Sequence, residues 1–222
     1  MDFSPFWISL KVAFCATIVT FILGLPAARL VVAMKRGRSF IDGVFSLPMV
    51  LPPTVVGFFL LLIFGNNSVL GRFLSNIGVG VIFTWQGAVI SAAVVSFPML
   101  YRTARGAFDQ VDPDLISAGR TLGMREIEIF LKIMLPASWP GVMAGTILAF
   151  ARALGEFGAT VMLAGNIPGR TQTMSVAIYS AVQGGNRELA YRWVIIIMVI
   201  SFVTIFAMNY LTDHQKSKRR TD

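Results

Sequence analysis

Long apolar stretches separated by short polar or basic segments dominate the chain. Five of them approach or exceed the roughly 20 residues needed to cross a hydrocarbon layer about 30 Å thick. They fall at about residues 6–33, 44–64, 81–102, 141–164 and 193–211. Soluble helices break at Gly and Pro, yet both recur inside these runs, as they do in membrane helices whose neighbours take up the freed backbone groups. The pattern predicts an all-α membrane protein of about five transmembrane helices, with residues 1–222 forming a single transmembrane domain. The first run follows Asp2 with no basic residue before it and is too long for a signal-peptide core, so it is expected to remain as a helix. An odd number of spans places the termini on opposite sides.

Basic residues in short loops mark the cytoplasmic side. With Lys35, Arg36 and Arg38 inside, the inner segments also receive Arg102, Arg105, Arg120, Arg125, Lys132, Lys216, Lys218, Arg219 and Arg220. The outer segments receive only Arg72, Arg170, Arg187 and Arg192, while Lys11, Arg29 and Arg152 lie within or at the ends of spans. The N-terminus is therefore expected outside and the C-terminus inside, with the tail cluster pinning the last helix. Composition agrees: 55% of the 222 residues are hydrophobic and 14% charged, with mean hydropathy +0.72, against about 25% charged in soluble domains. That excludes a water-soluble globular domain. The net charge of +8 fits loops held against anionic lipid, not a nucleic-acid surface. Cys15 is the one cysteine and His214 the one histidine, so neither an internal disulfide nor a Cys/His zinc cluster can form, and no metal site is expected.

The segment at about 103–140 is much longer than an antiparallel helix connection requires. Asp112-Pro113 reads as an N-cap followed by proline at the first helical position, and Gly123 stands where a helix of about ten residues would end. A second helix begins near Met124, with Ile127, Phe130, Leu131 and Met134 as one apolar stripe and Arg125, Glu126, Glu128 and Lys132 elsewhere. Leu135-Pro136 is expected to close the unit. Two uses fit this pattern: a hairpin lying on the membrane surface, or a docking element for a cytosolic partner.

The fourth span carries Arg152 and Glu156, one helical turn apart. A charge near the bilayer centre costs at least about 2.5–3.5 kcal/mol unless paired or wet. At about 100° per residue, Gly141, Gly145, Arg152, Glu156 and Ala159 share one face, opposite Met143, Ile147, Phe150, Leu154, Phe157 and Val161. Gly141 and Gly145, continued by Ala149 and Ala153, permit a neighbouring helix to approach closely. Arg152 and Glu156 either line or gate a solute path or form a buried ion pair that fixes helix packing. In the second span, Pro48, Pro52 and Pro53 remove backbone donors and predict a kink. Pro52, Pro53 and Thr54 are candidate path residues, because broken helices often line substrate routes. Pro26 and Pro98 have weaker claims. Residues 164–173 read as an outer turn, and 174–182 as a short interfacial or re-entrant helix.

Ser117-Ala118-Gly119-Arg120-Thr121-Leu122-Gly123, nine residues, then Ile133-Met134-Leu135-Pro136 resembles the EAA loop of binding-protein-dependent ABC importer permeases, E-A-A-x3-G-x9-I-x-L-P. Ser117 replaces the Glu and Gly119 the second Ala. The resemblance implies a coupling helix seated in a cleft of an ATPase subunit, with Ala118, Gly119, Gly123, Ile133, Leu135 and Pro136 matching the motif and Arg120 and Thr121 as surface contacts. Ala151 to Thr160, Asn166-Ile167-Pro168-Gly169-x-Thr171-x-Thr173 and Leu51 to Gly57 resemble the molybdate-transporter permeases, and sulfate permeases are less similar in the Asn166–Thr173 stretch. That likeness, from about Trp7 to Leu211, implies a homodimer in the bacterial or archaeal cytoplasmic (inner) membrane. It implies two cytosolic ABC ATPase subunits that use ATP and Mg, an extracytoplasmic molybdate-binding protein, and alternating access. Molybdate, tungstate and sulfate all remain as substrates.

No G-x4-G-K-[ST] phosphate loop occurs, so energy must come from a partner or an ion gradient. The chain is thus expected to be no enzyme and to hold no cofactor of its own. Two other classes compete with the importer: a gradient-driven secondary transporter using Arg152 and Glu156 as a relay, and a membrane scaffold that recruits a cytosolic partner without moving solute.

Overall fold

The structure, a computed structural model, describes residues 2–218, with side chains to residue 207 and at 210. The tail residues Lys216, Lys218, Arg219 and Arg220 and the lone His214 lie outside the described side chains. Among the described residues every regular element is helical: α1 (Ser4–Ala33), α2 (Arg38–Val50), α3 (Pro53–Phe64), α4 (Val69–Asn76), α5 (Trp85–Asp109), α6 (Pro113–Thr121), α7 (Glu126–Leu154), α8 (Gly158–Ala164), α9 (Met174–Gln183) and α10 (Arg187–Lys218). Four are long and apolar enough to cross a membrane, and α2 with α3 makes a fifth span only as a bent pair.

The centre is built from α1, α5 and α7. Helices α1 and α5 run parallel: the Thr20 hydroxyl lies 3.4 Å from that of Ser96, and Gly24 faces Leu100 one turn further on. Fully buried Ala13, Ala16, Ala28, Ala88, Ala92 and Ala104 let the backbones approach, as small residues do where apolar lipid supplies no drive for helix association. Helix α7 runs antiparallel to α5. A Cβ on Gly141 would stand 2.5 Å from the Ala107 Cβ, and one on Gly145 3.0 Å from the Thr103 Cβ, so the expected close approach forms. The Met174 N–H donates to Ser9 Oγ at 2.8 Å and ties α9 to α1. Beyond this centre, α10 leaves Ile195, Met198, Phe202 and Phe206 exposed, an apolar outer face suited to lipid.

Three expectations need correction. First, Leu135-Pro136 does not close the loop unit; α7 runs unbroken from Glu126 to Leu154. Pro136 cannot donate to the carbonyl four residues back, and the helix widens just before it into a π turn over Phe130–Met134, with the Leu135 N–H reaching Phe130 O. That turn shifts the helical phase and splits the expected stripe, so Met134 is buried while Ile127 and Leu131 stay exposed.

Second, the second span is broken, not merely kinked: α2 and α3 meet at 110° across Leu51-Pro52. At about 1.5 Å per residue neither piece alone crosses the hydrocarbon layer. Third, the fourth span ends at Leu154 and resumes at Gly158, so Ala159 does not continue the face of Gly141 and Gly145. The short helix α4, capped by Ser68 Oγ accepting from the Gly71 N–H, is an addition that span counting does not find.

Candidate functional site

The connection between α5 and α7 folds as a compact surface unit. Asp112 caps α6 by accepting the Asp114 N–H at 2.9 Å, and Pro113 takes the first turn, where no donor is needed. Gly123 ends the unit at φ +76°, a left-handed conformation that glycine adopts without a Cβ penalty. Glu128 folds back to accept the Arg125 N–H at 2.9 Å and starts α7.

Gly119 is buried where α6 crosses α7. A Cβ there would stand 2.9 Å from Ile133 Cδ1, which is why a small residue is needed and why Ile133 is half-buried. Leu135 is half-buried, while Ala118, Thr121 and Pro136 face outward. The Thr121 hydroxyl donates to Ser117 O. With Leu115, Leu122 and Ile127, these residues leave an exposed apolar surface on α6 and its turn.

Arg120 is exposed yet not free. Its Nε donates to Glu126 at 2.7 Å, which raises the guanidinium above its ordinary value, and Arg29 of α1 reaches the same carboxylate at 3.0 Å. Arg29 also lies over the Phe130 ring at 5.7 Å. The surface unit is thereby tied to the end of α1. A second cluster joins α2 to α5: Asp42 pairs with Arg105 and accepts the Tyr101 hydroxyl at 2.9 Å, while Arg38 pairs with Asp109. Only the Arg105 and Asp109 spacing signals this cluster in the sequence.

At the other end of α7 the two helix breaks meet. A Cβ on Gly158, the first residue of α8, would lie 3.1 Å from Pro53 Cβ and 3.2 Å from the Thr54 backbone nitrogen. One turn along, a Cβ on Gly57 would lie 2.8 Å from Ala159 Cα. Thus Pro53 and Thr54 touch the α7–α8 break, and Pro52 stands exposed beside them. The glycines that permit this, Gly57 and Gly158, carry no chemical signal in the sequence that marks them as site residues.

Arg152 and Glu156 do come together. Arg152 Nη1 lies 2.8 Å from Glu156 Oε2, and Glu156 Oε1 accepts the Ala159 N–H at 2.8 Å. Glu156 is 2% exposed and Arg152 28%. The carboxylate therefore closes the end of α7 against the start of α8, with each oxygen engaged. The arrangement contains no nucleophile with an adjacent base, and the described residues hold no group of three or more metal-ligating side chains. It can join, hinge and shift helices.

Comparison with known proteins agrees with this architecture. The family described as binding-protein-dependent transport system inner membrane component matches residues 20–218. The permease protein YvgM of Bacillus subtilis (strain 168), provisionally named for molybdenum transport, is 46% identical over 96% of this chain and 94% of its own. The molybdenum transport system permease protein ModB of Haemophilus influenzae is 39% identical over 98% of this chain and 96% of its own. A sulfate transport system permease protein, CysT of Escherichia coli (strain K12), is 32% identical over 92% and 74%. A solved chain of the MetNI methionine ABC transporter, in an inward-facing conformation, superposes with a TM-score of 0.73 at 17% identity, over 94% of this chain and 93% of that one.

Proposed function

The chain belongs to the family of binding-protein-dependent transport system inner membrane components, and on that premise we propose that it is the permease subunit of an ATP-driven molybdate importer. It is a multi-pass protein of the inner membrane and performs no bond chemistry. Import runs from an extracytoplasmic molybdate-binding protein, through a homodimer of this chain, under the power of two cytosolic ABC ATPase subunits that consume ATP with Mg. In this reading the N-terminus is outside and α6 faces the cytosol.

One observation carries the mechanism. Helix α7 joins the α6 unit directly to the place where the two helix breaks touch, over 29 residues. At about 1.5 Å per residue that is a lever some 40 Å long. A push on α6 from a closing ATPase pair reaches Leu154 because the surface unit is locked to α7 through Gly119 against Ile133 and through Arg120 with Glu126. At Leu154 the lever meets α8, which in turn packs on α3 through Gly57 and Pro53. The half-helices move against each other and open the path beside Pro52, Pro53 and Thr54.

Arg152 and Glu156 hold this joint. A bare carboxylate would repel a dianion, and pairing with Arg152 removes that repulsion. Sulfate and tungstate have the same charge and tetrahedral shape, so most selectivity resides in the binding protein. The greater identity to the molybdenum permeases than to the sulfate one favours molybdate.

The test is uptake of labelled molybdate into vesicles holding this chain, its ATPase and its binding protein, with sulfate and tungstate as competitors. Uptake that needs all three components and resists excess sulfate is expected. Uptake that persists without the ATPase would establish a gradient-driven transporter instead, and ATPase binding without any flux would establish a scaffold.

A further inference from the structure

At the end of the bundle opposite α6, a cavity of about 420 Å³ opens between the first turns of α1, the start of α5 and the turn at 169–171. Lys11 and Arg170 both line it, no carboxylate does, and neither cation has an ion pair among the described residues. Lys11 sits roughly 10 Å along α1 and, like Arg170, is exposed. Its Nζ lies 3.8 Å from the centroid of the Trp85 ring, which holds it over the cavity.

The rest of the lining is mixed: Ile8, Val12 and Phe83 are apolar, while Thr84, Gln86 and Thr171 bring hydrogen-bonding groups. The Thr84 hydroxyl caps the 25-residue helix α5, accepting the Gly87 N–H and donating to Val81 O at 2.7 Å, and the positive end of the helix dipole lies at that point. The buried Thr171 hydroxyl accepts the Ile167 N–H at 3.0 Å and makes no donation among the described residues, so its own hydrogen remains to be given. Gln86 adds an amide donor. At about 30 Å³ per water, the volume holds a small anion together with part of its hydration shell.

We propose that this cavity binds a tetrahedral oxyanion, through Lys11 and Arg170 as the two countercharges, at the face from which solute reaches the permease. The proposal deepens the importer reading and rests on it for that orientation. Two cations match the double charge of molybdate or sulfate. Because both are partly in water, the site holds the anion loosely enough to release it into the path. The same chemistry would take the phosphate of a lipid headgroup.

The test is a titration of molybdate into the purified chain in detergent at constant ionic strength, read by tryptophan fluorescence, with Trp85→Phe assigning the signal. A saturable change is expected in the wild type, absent in Trp85→Phe and not reproduced by chloride. Half-saturation is expected to rise about tenfold or more in Lys11→Gln and in Arg170→Gln, each of which loses a charge-assisted contact, and to stay within about threefold in Lys11→Arg. Repeating the titration in bilayer discs separates the sources. An unchanged half-saturation identifies the free ion as occupant, and a half-saturation that climbs with the fraction of anionic lipid identifies the headgroup. No saturable change, or one indifferent to both Gln variants, overturns the site. Vesicle uptake is scored separately. A chain that imports molybdate without a fluorescence response sinks only the cavity proposal, whereas a response without import sinks only the importer reading.

Discussion

The joint between α7 and α8 predicts an asymmetry between the two members of its ion pair. At 2.8 Å between Arg152 Nη1 and Glu156 Oε2, the raw attraction is about 6 kcal/mol for an effective dielectric of about 20. Desolvation of both groups cancels most of it, so the expected coupling is about 1–3 kcal/mol. The cost of breaking the pair depends on which charge is left behind. In Glu156→Gln the amide oxygen still accepts the Ala159 N–H, and the stranded Arg152 is 28% exposed and can take up water. That variant is expected to lose about 1–2 kcal/mol. In Arg152→Gln the stranded carboxylate is 2% exposed and keeps only a backbone donor, and the expected loss is about 3 kcal/mol or more. The assay is denaturant unfolding of the two single variants and the double variant in mixed micelles, closed as a cycle. Equal losses, a reversed order or a coupling below about 0.5 kcal/mol would refute the reasoning.

Three further perturbations test the parts around this joint. Gly57→Ala puts a Cβ 2.7 Å from Met162 Cβ and 2.8 Å from Ala159 Cα, where contacts normally lie at about 3.5–4.0 Å; α3 and α8 must part, at about 1–3 kcal/mol, and unaltered stability and molybdate uptake would show that the half-helices are not held this closely. Gly123 has open space for a side chain but φ +76°, so Gly123→Asn is expected to keep transport. Gly123→Val, strained by about 1–2 kcal/mol, is expected to insert normally yet uncouple ATP hydrolysis from uptake, and equal uptake by the two variants would count against the coupling role. Asp112→Ala removes the α6 cap at about 1 kcal/mol; hydrogen exchange of the α6 amides should quicken about fivefold while exchange in α5 stays unchanged.

The parts legible in the sequence are those decided within a few residues of themselves. Asp112-Pro113 and Gly123 delimit α6 because a cap, a missing donor and a left-handed φ are local requirements. Four of the five apolar runs become single helices long enough to cross, and the fifth the bent pair α2–α3, because burial in lipid depends on composition along one segment. Gly141 and Gly145 announce a close helix contact because only the absence of a side chain allows it. The prolines at 52 and 53 announce a disruption, though not its size. What tertiary structure alone decided is where each disrupted piece goes. The 110° turn between α2 and α3 goes with the packing of α3 on α8, where Gly57 meets Ala159 about 100 residues away in the chain. No spacing rule reaches that far. The unbroken run of α7 past Pro136 is likewise settled by packing: Met134 and Ile129 are buried against the bundle, and a π turn absorbs the missing donor that by local rules would end the helix.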